Sequence, residues 1–334
     1  MKAFLCFALP LLWLGSSCER LWLRPGAEVT PETVFDEAWS FSDAHYSFFA
    51  FKGIDWDAAY ATYRPQIRAD MPDTALFRVI ADMLYTLRDG HVNLRTPFDR
   101  SRNWSWYLHA PPNFSYDLLE RHYWQGRERF VGPLVVYDFG DVGYVWYESF
   151  SQTLTEAHWN EVMASFADKK GLILDLRNNG GGSISNAYTI AGRFVSEPTV
   201  LARTQVKEGP GHEDFSALRD IEVAPRGDSA FTRPVAVLVN RRSYSATNFL
   251  ATFLSALPQV TLVGDSTGGG GGAPAFTELP NGWNLRVSST RLFALDGTNV
   301  EDGLAPDIAV DLDSLEAQQG RDSMLERALA LIRE

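Results

Sequence analysis

A chain of 334 residues with 45% hydrophobic and 22% charged side chains is long enough to bury a sizeable core, as one large domain or a small and a large one, and is not a disordered protein. Its net charge of −12, with no lysine- and arginine-rich run, argues against a nucleic-acid partner. Cys6 and Cys18 are the only cysteines, so the folded part offers no disulfide and no thiolate; the six histidines lack metal-ligand spacing such as HExxH, and no metal or cofactor is expected.

Residues 1–18 carry Lys2, an apolar run from Ala3 to Leu14, and the small residues Gly15, Ser16 and Ser17 before Cys18. They read as an export signal, too short to span a membrane. Leu-Gly-Ser-Ser-Cys also resembles a loose lipoprotein box with Cys18 as the lipidated residue. Leucine stands one place further from the cysteine than that pattern prefers, so cleavage without lipidation is the alternative. The expected location is the cell envelope, either periplasmic or lipid-anchored to a bacterial membrane.

Residues 30–95 are expected to form an N-terminal helical subdomain. Pro31 and Glu32 open a helix through Phe35 and Trp39; Trp56, Tyr60 and Tyr63 recur at helical spacing; a third helix from Thr74 carries Leu76, Phe77, Ile80, Met83, Leu84 and Leu87. These aromatics read as core, with a ligand-binding groove as the alternative. The last helix stops at Leu87-Arg88-Asp89-Gly90-His91, where Asp-Gly makes a turn and His91 enters a strand. Such a histidine is either a hydrogen-bonded turn residue or a catalyst.

Residues 96–140 read as an irregular, strand-rich linker region, and 141–334 as an α/β core. Strands are expected over 130–137 and 142–146, then a helix near 155–167. The stretch Gly171-Leu-Ile-Leu-Asp175-Leu-Arg177-Asn-Asn-Gly180-Gly181-Gly182 is a strand running through a polar glycine turn into an apolar helix. Without GxxxxGK[ST] or GxGxxG the turn is no phosphate cradle, and its bare N–H groups suit an oxyanion instead. A second unit follows: strand 235–239, Ser245 at the turn, a helix from about Ala246 to Leu257, strand 260–263 and a glycine run. A serine there is either a helix N-cap or a nucleophile held clear of the sheet. Strands over 284–289 and 291–294, a turn containing Glu301, and one terminal helix from about Leu315 complete the chain.

LILDLRNNGGG (172–182), LVNRRSYSAT (238–247), VGDSTGG (263–269) and EDGLAPDI (301–308), preceded by LRDGHVNL (87–94), together resemble the C-terminal processing, or tail-specific, serine peptidases. The resemblance implies an α/β (α+β) fold with a ClpP/crotonase-like βαβ core and a small N-terminal helical subdomain; residues 96–140 are too short for an inserted PDZ domain. Glycine stands where the Ser-Lys branch has its lysine, so the tricorn-like Ser/His/Glu branch is the one resembled. Its pattern implies Ser245 as nucleophile, His91 as base, Glu301 as supporting carboxylate, and Gly180, Gly181 and Ala246 as oxyanion donors. Gly90 stands where that branch has a serine before the histidine, which leaves the link from Glu301 to the site open. The implied function is acyl-enzyme hydrolysis of peptides or unfolded proteins. The alternative is a catalytically silent relative that binds an apolar ligand or peptide, as retinoid-binding relatives of the family do.

Overall fold

A computed structural model describes residues 28–104 and 109–334. The export signal at 1–18 and the lipidation expected at Cys18 lie outside the described residues. Helix α1 (Pro31–His45) starts where Thr30 and Thr33 cap one another reciprocally and Pro31 supplies a pre-set φ. Short α2 (Phe49–Lys52) ends on Gly53 in the left-handed region, α3 (Trp56–Tyr63) is capped by Asp55, and α4 (Asp73–Tyr85) buries Leu76, Phe77, Ile80, Met83 and Leu84 on one face. The chain then turns into strand β1 (Asn93–Arg95).

Strands β2 (Arg129–Val131) and β3 (Leu134–Asp138) form a hairpin whose turn glycine, Gly132, has φ +57°. β4 (Val142–Tyr147), α5 (Glu156–Ser165) and β5 (Gly171–Asp175) make one crossover unit. Next come α6 (Ile184–Ala191), β6 (Thr199–Val206), β7 (Arg219–Val223), β8 (Val235–Val239), α7 (Ala246–Ser255) and β9 (Val260–Gly264). The main sheet has seven strands in the order β13-β9-β8-β5-β4-β3-β2, where β13 is Ile308–Ala309. Its five strands from β13 to β4 run parallel and the β2–β3 hairpin closes one edge antiparallel. Both faces are covered, which explains the unbroken apolar runs in the sequence. Leu172, Leu174 and Val237 face α6 and α7, whereas Ile173, Ala236 and Leu238 face the terminal helix.

β10 (Pro274–Glu278) and β11 (Asn284–Ser288) leave this sheet and pair with β1, in the order β1-β11-β10. Leu94, Leu285 and Val287 then share one buried cluster with Phe35, Trp56, Ile80 and Leu84, so the N-terminal helices are completed by a hairpin from far down the chain. Each fully buried Leu or Phe of such a cluster contributes about 2 kcal/mol. β12 (Thr290–Phe293) joins β6 and β7 in a third sheet. The fold is mixed α/β, as expected, but the single terminal helix is corrected to two, α8 (Ser314–Gln318) and α9 (Ser323–Arg333). Gly320 at φ +84° breaks the helix, and Asp322 restarts it by accepting the N–H groups of Met324 and Leu325.

Candidate active site

Ser245 stands between β8 and α7, at the N-cap position, yet its hydroxyl caps nothing. Its backbone has φ +60° and ψ −125°, a conformation that costs a non-glycine residue about 1–3 kcal/mol and re-aims the side chain away from the helix. The hydroxyl Oγ lies 2.8 Å from His91 Nε2 instead. The turn is held rigidly: Ser245 N–H donates to the Gly269 carbonyl, Tyr244 N–H to the Asn179 carbonyl, and the Ser243 hydroxyl to the Leu176 carbonyl. Ser245 remains partly exposed, whereas His91 is buried with 8% of its surface accessible.

The glycine turn after β5 packs directly against this elbow. Arg177, fully buried, pairs with Asp175 at 2.6 Å and Asp322 at 2.9 Å, which fastens the base of the turn to the start of α9. A Cβ on Gly181, whose φ is +89°, would sit 2.6 Å from the Tyr244 carbonyl oxygen and 2.8 Å from Ser245 Cβ, so only glycine lets the two turns approach. Its amide is committed: Gly181 N–H donates to Asn179 Oδ1, which also accepts the Thr247 hydroxyl. The Gly181 N–H is thus engaged within its own turn. Among the described residues the N–H groups of Gly180 and Ala246 make no hydrogen bond, and Gly180 is exposed.

His91 follows the buried Asp89, whose Oδ1 accepts the His91 N–H at 2.7 Å while Oδ2 accepts the Ser288 hydroxyl at 2.7 Å. Burial lowers the imidazole below its ordinary value; Asp89 and the Gly272 backbone oppose this, and Arg286 and Lys52 add to it. Nδ1 makes no hydrogen bond among the described residues; the Gly272 backbone is near enough to favour the charged ring but not in hydrogen-bond geometry. The ring packs on Tyr244 with centroids 5.0 Å apart.

Glu301 is 2% exposed, and its Oε1 accepts a hydrogen bond from Lys52 Nζ at 2.8 Å, not from the imidazole. Lys52, the last residue of α2, also donates to the Arg88 carbonyl, so one ammonium joins the carboxylate to the turn that carries His91. Burial and Asp89 push the Glu301 carboxyl up to about 8 against the pull of Lys52, while Glu301 and Asp89 together outweigh burial and hold Lys52 charged. A serine at position 90 has no room: a Cβ there would meet the Tyr244 hydroxyl at 2.8 Å and Trp104 at 2.9 Å. The glycine run explains how Glu301 reaches the elbow. Gly270 N–H donates to the Glu301 carbonyl, and a Cβ on Gly269 would sit 1.9 Å from that same oxygen.

Lys52 and Asp89 escape sequence reasoning because each has an ordinary local explanation. A lysine at a helix C-terminus complements the helix dipole, and Asp-Gly is a common turn.

The sequence profile of peptidase family S41 matches residues 141–310, and that of the tricorn protease C1 domain matches residues 28–85. The chain belongs to peptidase family S41. A solved structure of a Parabacteroides merdae protein superposes with a TM-score of 0.86 at 38% identity, covering 91% of this chain and 97% of that one. The carboxy-terminal-processing protease of Bartonella bacilliformis is 26% identical over 196 residues, covering 56% of this chain and 42% of its own length. The carboxy-terminal processing protease CtpA of Bacillus subtilis is 28% identical over 175 residues, covering 52% of this chain and 35% of its own. The match thus spans less than half the length of either curated relative.

Proposed function

We propose that this chain is an exported serine peptidase acting on peptides or unfolded proteins through an acyl-enzyme. One observation carries the reading: the Ser245 hydroxyl, in a strained elbow and capping no helix, meets His91 Nε2 at 2.8 Å. A neutral imidazole, favoured by burial, takes the hydroxyl proton as Oγ attacks the scissile carbonyl. The oxygen of the tetrahedral intermediate is received by the Gly180 and Ala246 amides, each such donor being worth about 3–4 kcal/mol in the transition state. His91 returns the proton to the leaving amine, and water repeats the sequence to free the acyl group. In this reading Glu301 acts on His91 through Lys52 and the Arg88 carbonyl, making both positioning residues.

Incubating the mature protein with a mixture of unstructured peptides, beside Ser245→Ala, tests the proposal by mass spectrometry. Cleavage should appear with the wild type alone, and Ser245→Ala should lose at least about 10⁴-fold in kcat with its melting temperature within a few degrees. A folded wild type that cuts nothing favours the second reading, a catalytically silent relative that binds an apolar ligand or peptide. A cavity of about 690 Å³, lined by Phe114, Tyr116, Val135 and Trp146 on one part and by Glu148, Gln152, Asn178 and Arg242 on the rest, gives that reading a site of mixed polarity. Export rests on residues 1–18, and the N-terminal mass of protein recovered from the envelope decides between cleavage alone and lipidation of Cys18.

A further inference from the structure

The sheet β1-β11-β10 has one face in the N-terminal core and one outside it. Antiparallel register sets Asn93 opposite Arg286 and Arg286 opposite Phe276, and in the next row Arg95 opposite Asn284. Leu94 and Leu285, at the alternate positions, are fully buried in the core, so the polar set shares the outer face. With Arg100, bridged to Arg95, these side chains line a cavity of about 320 Å³.

Three guanidinium groups converge there in a chain of net charge −12. Among the described residues none of the three forms an ion pair, whereas Arg203, Arg219 and Arg291 each have a carboxylate partner. Arg286 is held from behind: its Nε and Nη2 donate to Asn93 Oδ1 at 2.9 and 2.5 Å, and buried Asn93 is oriented by donating to the Val92 and Ser101 carbonyls. Glu278, the acid in the strand rows, lies opposite Asn284, exposed and without an ion pair. Asp99 turns its carboxylate to the Arg100 N–H. The cavity therefore presents three arginines without an ion pair, one of them, Arg286, fixed by Asn93 and the other two exposed, while the buried Asp89 acts on Arg286 only through space; such a set suits recognition of a carboxylate.

The cavity shares its strands with the reactive centre. Asn93 lies two residues beyond His91, and Arg286 two residues before Ser288, which holds Asp89 beneath His91. Arg95 lies four residues beyond His91, a reach of at most about 14 Å that an extended substrate covers in about four residues, and Arg286 is near enough to lower the His91 imidazole.

Resting on the peptidase reading, we propose that this pocket is a carboxylate subsite: Arg95, Arg100 and Arg286 take an acidic group of the peptide lying within about four residues of the scissile bond. The group is an Asp or Glu side chain or the free C-terminal carboxylate.

The test uses the mature chain carrying Ser245→Ala, which removes turnover, and three fluorescent peptide sets read by anisotropy: acidic side chains with an amidated end, neutral side chains with a free end, and neutral side chains with an amidated end. At least one carboxylate-bearing set should bind roughly tenfold tighter than the neutral amidated set. Arg95→Gln/Arg100→Gln, both exposed and therefore compatible with folding, should abolish the difference without weakening the neutral set. The set that responds identifies the source of the carboxylate. Equal binding by all three sets overturns the proposal, as does a preference that survives the double variant. Binding is read without turnover, so an absence of proteolysis in the wild type would count against the peptidase reading and leave this result standing.

Discussion

The two sides of the candidate site are built in different ways. On the core side, Ser245, Ala246 and the Gly180–Gly182 turn come from two strand-turn-helix units whose strands are neighbours in the main sheet, and the two turns pin one another through backbone contacts. On the other side, His91, Asp89, Lys52 and Glu301 arrive from the turn between α4 and β1, the end of α2 and a loop near the C-terminus. The core side relies on backbone geometry with little room for change. The other side relies on buried charge, which is adjustable but costly to leave unpaired.

The sharpest way to break that comparison is at Gly181. Gly181→Ala should cost both stability and at least about 100-fold in kcat, because the methyl meets Ser245 Cβ and the Tyr244 carbonyl at a positive φ. Gly180→Ala, where an added Cβ meets nothing within 4 Å, should leave the melting temperature unchanged. Equal behaviour of the two variants in thermal melts and kinetics would remove the steric argument.

On the charged side, Lys52→Met leaves Glu301 without its partner; because burial already pushes that carboxyl up to about 8, it stays protonated near neutral pH, and the loss in denaturant titrations should be about 1–3 kcal/mol, that of an unmade buried hydrogen bond. Adding Glu301→Gln should recover part of that loss. If the double variant is no more stable than the single, the two residues are not a coupled pair.

The pH profile separates positioning from packing. His91 must be neutral to accept the proton, and burial lowers it from 6.5, so kcat/KM should persist as pH falls below 6.5 and be lost only through the lowered value. Lys52 contributes to that lowering, so its removal should shift the acid limb towards higher pH. A limb that stays put in the variant makes Lys52 purely structural.

Ser288→Ala gives the smallest expected effect: one hydrogen bond to Asp89 is lost, worth about 1 kcal/mol, with a modest fall in kcat. No change in either quantity would mean that Asp89 needs only its bond to the His91 N–H.

The same division governs how much could be read in advance. Strands 171–175, 235–239 and 260–264 were legible because parallel strands buried on both faces are continuous apolar runs, and Ser245 was legible because it stands in the polar turn between such a strand and an apolar helix. The hairpin of β10 and β11 was harder to place. Leu285 and Val287 alternate as a strand should, but nothing local says that they complete the N-terminal core instead of extending the main sheet. The third sheet of β6, β7 and β12 was not foreseen, since the exposed residues along β6 and β7 blunt the apolar pattern. That the Gly181 amide is engaged within its turn is not readable from the local sequence, because its partner, the Asn179 side chain, is itself oriented by Thr247 and Tyr147, which lie on other elements.

The βαβ units, the elbow serine, the glycine turn and the glycine in place of the dyad lysine are readable along the chain, because each depends on period, turn chemistry or residue type within a short window. That Ser245 meets His91 instead of capping α7, that Glu301 binds Lys52, and that three arginines share one cavity emerges from the packed fold. Those facts depend on distances between segments far apart in the chain, where hydrophobic packing and buried charge, not local propensity, select the neighbours.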